Sequence, residues 1–386
     1  MTTTAPLMMS ADSHVIEPPD LYVPLNDEFG DRAPHVRRAD NGTDWWWVGG
    51  ERTNSFAGGS QAGRRFEDAG SLVLADSIDN VRESIWTPDR YVEENLFDGV
   101  GASVLYPTQQ LQHYAVRDTP LVSATCRVYN DWLASFCAAV PSRLRGIAAL
   151  NIDDPAEAAA ELERAAGLGL AGGLIPVGLP HGHTYADPRY EPLWAAAEST
   201  DLPLSLHIGT YRADPTKRKA VAIAGAQRAD HRPVQSAFAN ADGYVRSVLA
   251  DLIFSGVLER HPGLRIVSAE HEVGWFAHFV DRMDHTYTER ATRGHRFADG
   301  ARPSDFTNRQ VWVQFSEDPI AAAMIAELGE SKMMWGGDYP HSEGTYPRSR
   351  EITARILERC SDATRTAVLT SNAAALYGVD EAALAP

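Results

Sequence analysis

Residues 264–271 read LRIVSAEH, a short branched apolar run that ends on a carboxylate and an imidazole. Seven other short apolar runs end in polar or small residues: residues 8–14 (MMSADSH), 102–108 (ASVLYPT), 144–151 (LRGIAALN), 171–177 (AGGLIPV), 202–209 (LPLSLHIG), 311–318 (VWVQFSED) and 332–340 (KMMWGGDYP). Each is short, apolar and bounded by Gly, Pro or Asp, which predicts a strand buried on both faces. Helical patterns lie between most of them. The clearest is residues 155–166 (PAEAAAELERAA), with Asp154 placed as N-cap, Pro155 in the first helical position and a glycine pair beyond the end. Residues 88–97, 191–200, 243–260, 274–289, 319–328 and 348–359 read as helices likewise. Eight strands alternating with helices predict an α/β fold, a single (β/α)8 TIM barrel over residues 1–386.

One connection breaks the rhythm. Residues 15–101 are too many for a simple βα link and read as an insertion or lid region after the first strand. Within it, Trp45-Trp46-Trp47-Val48 predicts a small β excursion, with the tryptophans as core or lid. The Gly/Arg-rich residues 57–63 predict a loop, and residues 88–97 the first barrel helix.

Composition removes several function classes. The chain has 386 residues, 35 Lys+Arg against 52 Asp+Glu, and a formal net charge of −17. That balance argues against a nucleic-acid surface, which needs clustered positive charge. No apolar run approaches the ~18 residues of a membrane span. The N-terminal residues lack a secretory layout, and Cys126, Cys137 and Cys360 are too few for a disulfide framework, so a reducing cytoplasm is expected. The acidic surface and Arg-rich helices suit a soluble homodimer. The only lysines are Lys217, Lys219 and Lys332, which leaves few carriers for Schiff-base chemistry or a carbamate bridge.

Chemistry should sit where the barrel strands end. The first run ends Asp12-Ser13-His14, and period two puts Asp12 and His14 on one side. The fifth carries His207, the sixth ends Glu270-His271, and the eighth ends Asp338-Tyr339-Pro340-His341. A single histidine at a strand end is ordinarily a hydrogen-bonded structural group. Four strand ends converging on one mouth, each with an imidazole or carboxylate, predict a site for Zn, Mn or Fe.

SADSHVIEPP at residues 10–19, LSLHIG at 204–209, SAEHEVGW at 268–275 and WGGDYPH at 335–341 carry a likeness. The chain resembles the amidohydrolase superfamily, in its amidohydrolase-related branch of aminocarboxymuconate-semialdehyde and resorcylate-type decarboxylases. The resemblance implies a metal-dependent barrel with Asp12, His14, His207 and Asp338 as metal ligands, and His271 as acid/base or second-metal histidine. It departs in two places. Asp12 stands where the family often has the first His of His-x-His. No Lys follows the fourth run (LIPV, residues 174–177), so the carbamate-bridged dinuclear form is not expected.

A divalent ion with an open position lowers the pKa of bound water to ~7 and polarises carbonyls. With His271 and Asp338 handling protons, this serves hydrolysis, hydration or nonoxidative decarboxylation. The expected function is therefore a metal-dependent hydrolase or decarboxylase acting on an anionic organic substrate. Two features sustain an alternative. Glu272, Glu317 and His341 are weaker candidates for holding a second ion, and two Fe would suit a nonheme iron monooxygenase acting on an acyl-CoA or hydrophobic acid. Lys217-Arg218-Lys219, in the loop after the fifth run, would offer a cationic rim to a substrate carboxylate or to the phosphates of a coenzyme A thioester. A third alternative is a barrel that binds a ligand without catalysis.

Overall fold

A computed structural model describes residues 6–55, 60–73, 75–216 and 234–384. Its strands are β1 (Met8–His14), β2 (His35–Arg38), β3 (Asp44–Val48), β4 (Glu51–Ser55), β5 (Val100–Tyr106), β6 (Leu144–Ala149), β7 (Gly172–Gly178), β8 (Leu204–Tyr211), β9 (Ile266–Ala269), β10 (Val311–Phe315) and β11 (Met333–Trp335). Eight of them make one parallel sheet in the order β1-β5-β6-β7-β8-β9-β10-β11. No ladder joins β11 back to β1. The chain after β11 closes the ring instead: the Asp338 N–H donates to the Asp12 carbonyl at 2.8 Å, and the His14 N–H to the Tyr339 carbonyl at 2.7 Å. Gly336 permits this approach, since a Cβ there would overlap Asp12.

The barrel is filled by Met9, Ala11, Val104, Ile147, Leu174, Val267 and Met334, among others. A larger apolar layer packs between strands and surrounding helices. Covering both faces explains why the strands are almost wholly apolar. The helix Pro155–Gly167 has Asp154 as N-cap, its carboxylate accepting from the Ala156 and Glu157 N–H groups. The helices Pro88–Phe97 and Glu191–Thr200 stand at their expected bounds. Residues 243–260 form two helices, Asp242–Phe254 and Val257–Arg260, broken by Gly256 at φ 75°. Among the described residues the longest helix, Thr119–Ala138, capped by Asp118, is absent from the sequence-based expectations.

Residues 15–99 hold a three-stranded antiparallel sheet, β2-β3-β4, several single 3-10 turns and the helix Pro88–Phe97. The tryptophans alternate as a strand requires. Trp46 is buried in an apolar cluster with Tyr22, Ile85 and Leu121. Trp45 and Trp47 lie on the other face, beneath the guanidinium groups of Arg52 and Arg37 at 4.6 and 5.0 Å.

Strand ends differ from expectation where function was sought. β9 stops at Ala269 and β11 at Trp335, so Glu270, His271 and residues 338–341 lie in the following turns. Glu270, Glu272 and Asp338 have φ of 59°, 55° and 52°. That left-handed backbone, unfavourable for a side chain with a Cβ, cannot continue a ladder.

Candidate metal centre

The structure brings together side chains from opposite ends of the chain. A register irregularity between Ser10 and Ser13 breaks the pairing of β1 with β5, and both Asp12 and His14 reach the same cluster. Ligand atoms of Asp12, His14, His207 and Glu270 lie within 4.8 Å of one another. His14 Nε2 is 3.6 Å from Asp12 Oδ1 and 3.3 Å from Asp338 Oδ1. His207 Nε2 is 3.6 Å from Asp12 Oδ1 and 3.4 Å from Glu270 Oε2. Asp338 thus joins the group through His14.

The imidazoles are oriented from behind. His14 Nδ1 is 2.7 Å from the Pro107 carbonyl and His207 Nδ1 is 2.8 Å from the Ile208 carbonyl. A carbonyl accepts only, so each Nδ1 carries the proton and each Nε2 presents a lone pair to the cluster. Neither Nε2 has a hydrogen-bond partner, nor has Asp12 Oδ1 or Asp338 Oδ2, and all are buried. Buried polar atoms ordinarily find partners. Two imidazole lone pairs and convergent carboxylates without any are what a divalent transition ion satisfies. The electrostatics agree. Burial raises the Asp12 pKa and pushes Glu270 well above the usual carboxylate range. It also pushes His14 well below the usual imidazole range, so His14 stays neutral.

His271 is buried beside this group. Its Nδ1 lies 3.2 Å from Ser268 Oγ, its Nε2 has no partner, and burial pushes its pKa down to about 3. It lines a cleft of about 490 Å³ that Glu270, Asp338 and Glu343 also line. His341 sits between Thr108 Oγ1 at 2.9 Å and Asp338 Oδ1, 3.0 Å from its Nδ1, and its ring stacks on His14 at 4.1 Å. Burial opposes a charge on His341, but the Asp338 carboxylate overrides it and raises the pKa.

Of the weaker candidates, only His341 is drawn in. The Glu272 carboxylate accepts from the Ser316 and Glu317 N–H groups at 3.0 and 3.2 Å. Glu317 faces Arg65 and Arg355, at 2.5 and 2.6 Å. Both line the cleft, yet both are engaged elsewhere. Asp318, beside them, accepts from the Val273, Gly274 and Ile320 N–H groups. Lys217, Arg218 and Lys219 lie outside the described residues. Sequence reasoning missed two groups. Glu270 was passed over for its neighbour His271, and Glu343 carried no signal beyond being a carboxylate near His341.

The comparisons with known proteins bear on this geometry. The amidohydrolase family pattern matches residues 81–379. A gamma-resorcylate decarboxylase of Rhodococcus jostii (strain RHA1) is 31% identical over 265 residues, covering 65% of this chain and 75% of that protein. Among solved structures, an amidohydrolase of Mycobacterium avium subsp. paratuberculosis K-10 superposes with a TM-score of 0.79 at 17% identity, covering 97% of this chain and all of the other. A dihydroxybenzoic acid decarboxylase of Polaromonas sp. JS666, solved with bound manganese, gives a TM-score of 0.59 at 23% identity over 75% of this chain and 85% of the other. These two structural likenesses are of fold. The family pattern spans most of the barrel and every residue of the cluster except those of β1, and the chain belongs to the amidohydrolase family.

Proposed function

We propose that this protein is a divalent-metal-dependent nonoxidative decarboxylase of a hydroxylated aromatic acid. One observation carries the reading: the buried, unpartnered His14 Nε2, His207 Nε2 and Asp12 Oδ1 converge on one point at the barrel mouth. The 31% identical resorcylate decarboxylase supports the reaction class, and the manganese-bound Polaromonas structure supports Mn²⁺ as the ion. Asp12, His14 and His207 would hold it, with Asp338 alongside. A divalent ion there supplies chelation of the substrate carboxylate and its neighbouring oxygen.

The chain's own residues then handle the proton. His341, its Nδ1 3.0 Å from Asp338 Oδ1, is placed to pass a proton by way of Asp338 to the ring carbon that bears the carboxylate. The C–C bond breaks, its electron pair restores the ring, and CO2 leaves. A proton from solvent then recharges His341. His271, held neutral by burial, orients a substrate oxygen by a hydrogen bond.

The relatives named above are decarboxylases of small aromatic acids by name, which favours such an acid over a coenzyme A thioester. A cytoplasmic location and a homodimeric assembly belong to this proposal, on the composition. No helix among the described residues is long and apolar enough to cross a membrane. The oxygenase alternative has no support from the relatives named above. The test is turnover by Mn²⁺-loaded protein with ortho-hydroxybenzoates, 2,6-dihydroxybenzoate first. CO2 equal to substrate lost, at the same rate without O2, is expected. O2 uptake coupled to turnover would transfer the site to the oxygenase reading, and no CO2 from any such acid would overturn the proposal.

A further inference from the structure

The cleft at the barrel mouth has two unlike ends. His271 and Asp338 line its buried end, beside the metal group, while Phe238 and Pro319 line its open end. Phe238 is 57% exposed, and Ile320, next to Pro319, is 47% exposed. Ile320 leans on Gly274 in the cleft wall, where a Cβ would lie 2.8 Å from it. Large apolar side chains left in water beside a concave site mark a binding surface. Ile208 and Trp275, both half-buried, line the cleft as well. Trp275 is locked in place. Its indole N–H donates to the His271 and Glu272 carbonyls at 3.0 and 2.9 Å, and its ring packs on Phe276 and Phe279 at centroid distances of 5.3 and 5.5 Å. The turn that carries His271 therefore fixes an aromatic ring beside it, and a ring already fixed loses no rotamer freedom when a ligand arrives.

The chemistry proposed above uses the buried end and leaves this apolar wall idle. The cleft of about 490 Å³ falls within the ~300–1,000 Å³ that holds drug-sized ligands, more than one benzoate ring fills. We infer that the substrate acid carries an apolar substituent on the ring edge opposite its carboxylate, and that Ile208, Trp275, Phe238 and Pro319 hold that substituent. A ring held by its carboxylate at the buried end directs its far edge to the open end. Only the placement of the carboxylate rests on the proposed function.

A homologous series separates this subsite from the reaction. Resorcinol and its 5-methyl, 5-propyl and 5-pentyl derivatives are titrated into full-length Mn²⁺-loaded protein by calorimetry. CO2 release is followed with the matching 4-alkyl-2,6-dihydroxybenzoates, which yield these resorcinols on decarboxylation. Each methylene laid on the wall should tighten binding by up to about fourfold, so the pentyl compound should bind about tenfold or more tighter than the methyl. The heat-capacity change should grow more negative along the series, and kcat/KM of the acids should rise in parallel. Phe238→Ser, at an exposed position, should cut the gain from methyl to pentyl to about threefold or less. Equal affinity along the series, or weaker binding of longer chains, overturns the subsite even where 2,6-dihydroxybenzoate is turned over. Tightening along the series without CO2 from any acid supports the subsite and overturns the reaction alone. An undiminished gain in the Phe238→Ser protein overturns the placement of the substituent on this wall.

Discussion

Asp12 in β1 and Asp44 in β3 are the same residue type, each at most 3% exposed, yet they are opposites. Asp44 accepts from Arg38 Nε and Nη2 at 3.0 and 2.7 Å and from the Ile78 N–H at 2.8 Å, and the Arg38 guanidinium holds its pKa below the usual range. Asp12 Oδ1 accepts nothing, and burial drives its pKa up. Asp44 pins the turn at Ser77 and Ile78 to the small sheet. Asp12 costs the fold energy that a bound cation would return. Burial alone does not mark a site; several buried ligand atoms without partners, converging on one point, do.

Exchanging each carboxylate for its amide tests that contrast. Asp12→Asn is expected to weaken Mn²⁺ binding by about 10–100-fold or more, measured by calorimetric titration. It should also make the metal-free protein more stable at neutral pH. The sign follows from a folded-state pKa above the unfolded value of 3.8: the fold binds the proton more tightly, so stability is lost as pH rises and the group ionises. Asp44→Asn should leave metal content unchanged and lower stability by about 1–3 kcal/mol, read by urea unfolding. A destabilised metal-free Asp12→Asn protein would erase the distinction.

Two histidines extend it to pH. Burial pushes both His271 and His113 down to about 3, but His113 is away from the metal ligands, with Nδ1 2.7 Å from Gln110 Oε1. The unfolded chain takes up these protons first, near 6.5. The stability each histidine contributes is present above 6.5 and lost as pH falls towards 3, by up to about 1.4 kcal/mol per pH unit each. Urea midpoints of His113→Phe between pH 4.5 and 7.5 should show a shallower slope than those of the unaltered protein. An equal slope would mean that His113 is protonated in the fold. The smallest effect is expected at Glu317→Gln. Gln keeps an oxygen for both of its partners, Arg65 and Arg355, which are 12% and 61% exposed, so stability should fall by about 1 kcal/mol and metal content should not change. Loss of metal would return Glu317 to the centre.

The barrel was legible because its signals are local. A short branched apolar run bounded by Gly, Pro or Asp reads as a buried strand wherever it occurs, and Asp154-Pro155 reads as a helix start from its own chemistry. The helix Thr119–Ala138 was not read, because its buried face mixes Leu121, Val122, Tyr129 and Leu133 with polar Thr125 and Asn130, which blurs the stripe.

The sequence by itself determined that Asp12, His14, His207 and Asp338 stand at the C-terminal edge of parallel strands, since strand direction and closure carry such residues to one rim. Only the tertiary structure decided which further carboxylates join them. Glu270 turns inward, while Glu272, two residues on, turns to the backbone of residues 316–317, each from a left-handed φ. Glu317 is drawn away by Arg65 and Arg355 from distant segments. A side chain's partner is fixed by what packs opposite it, and no local pattern in the chain encodes that.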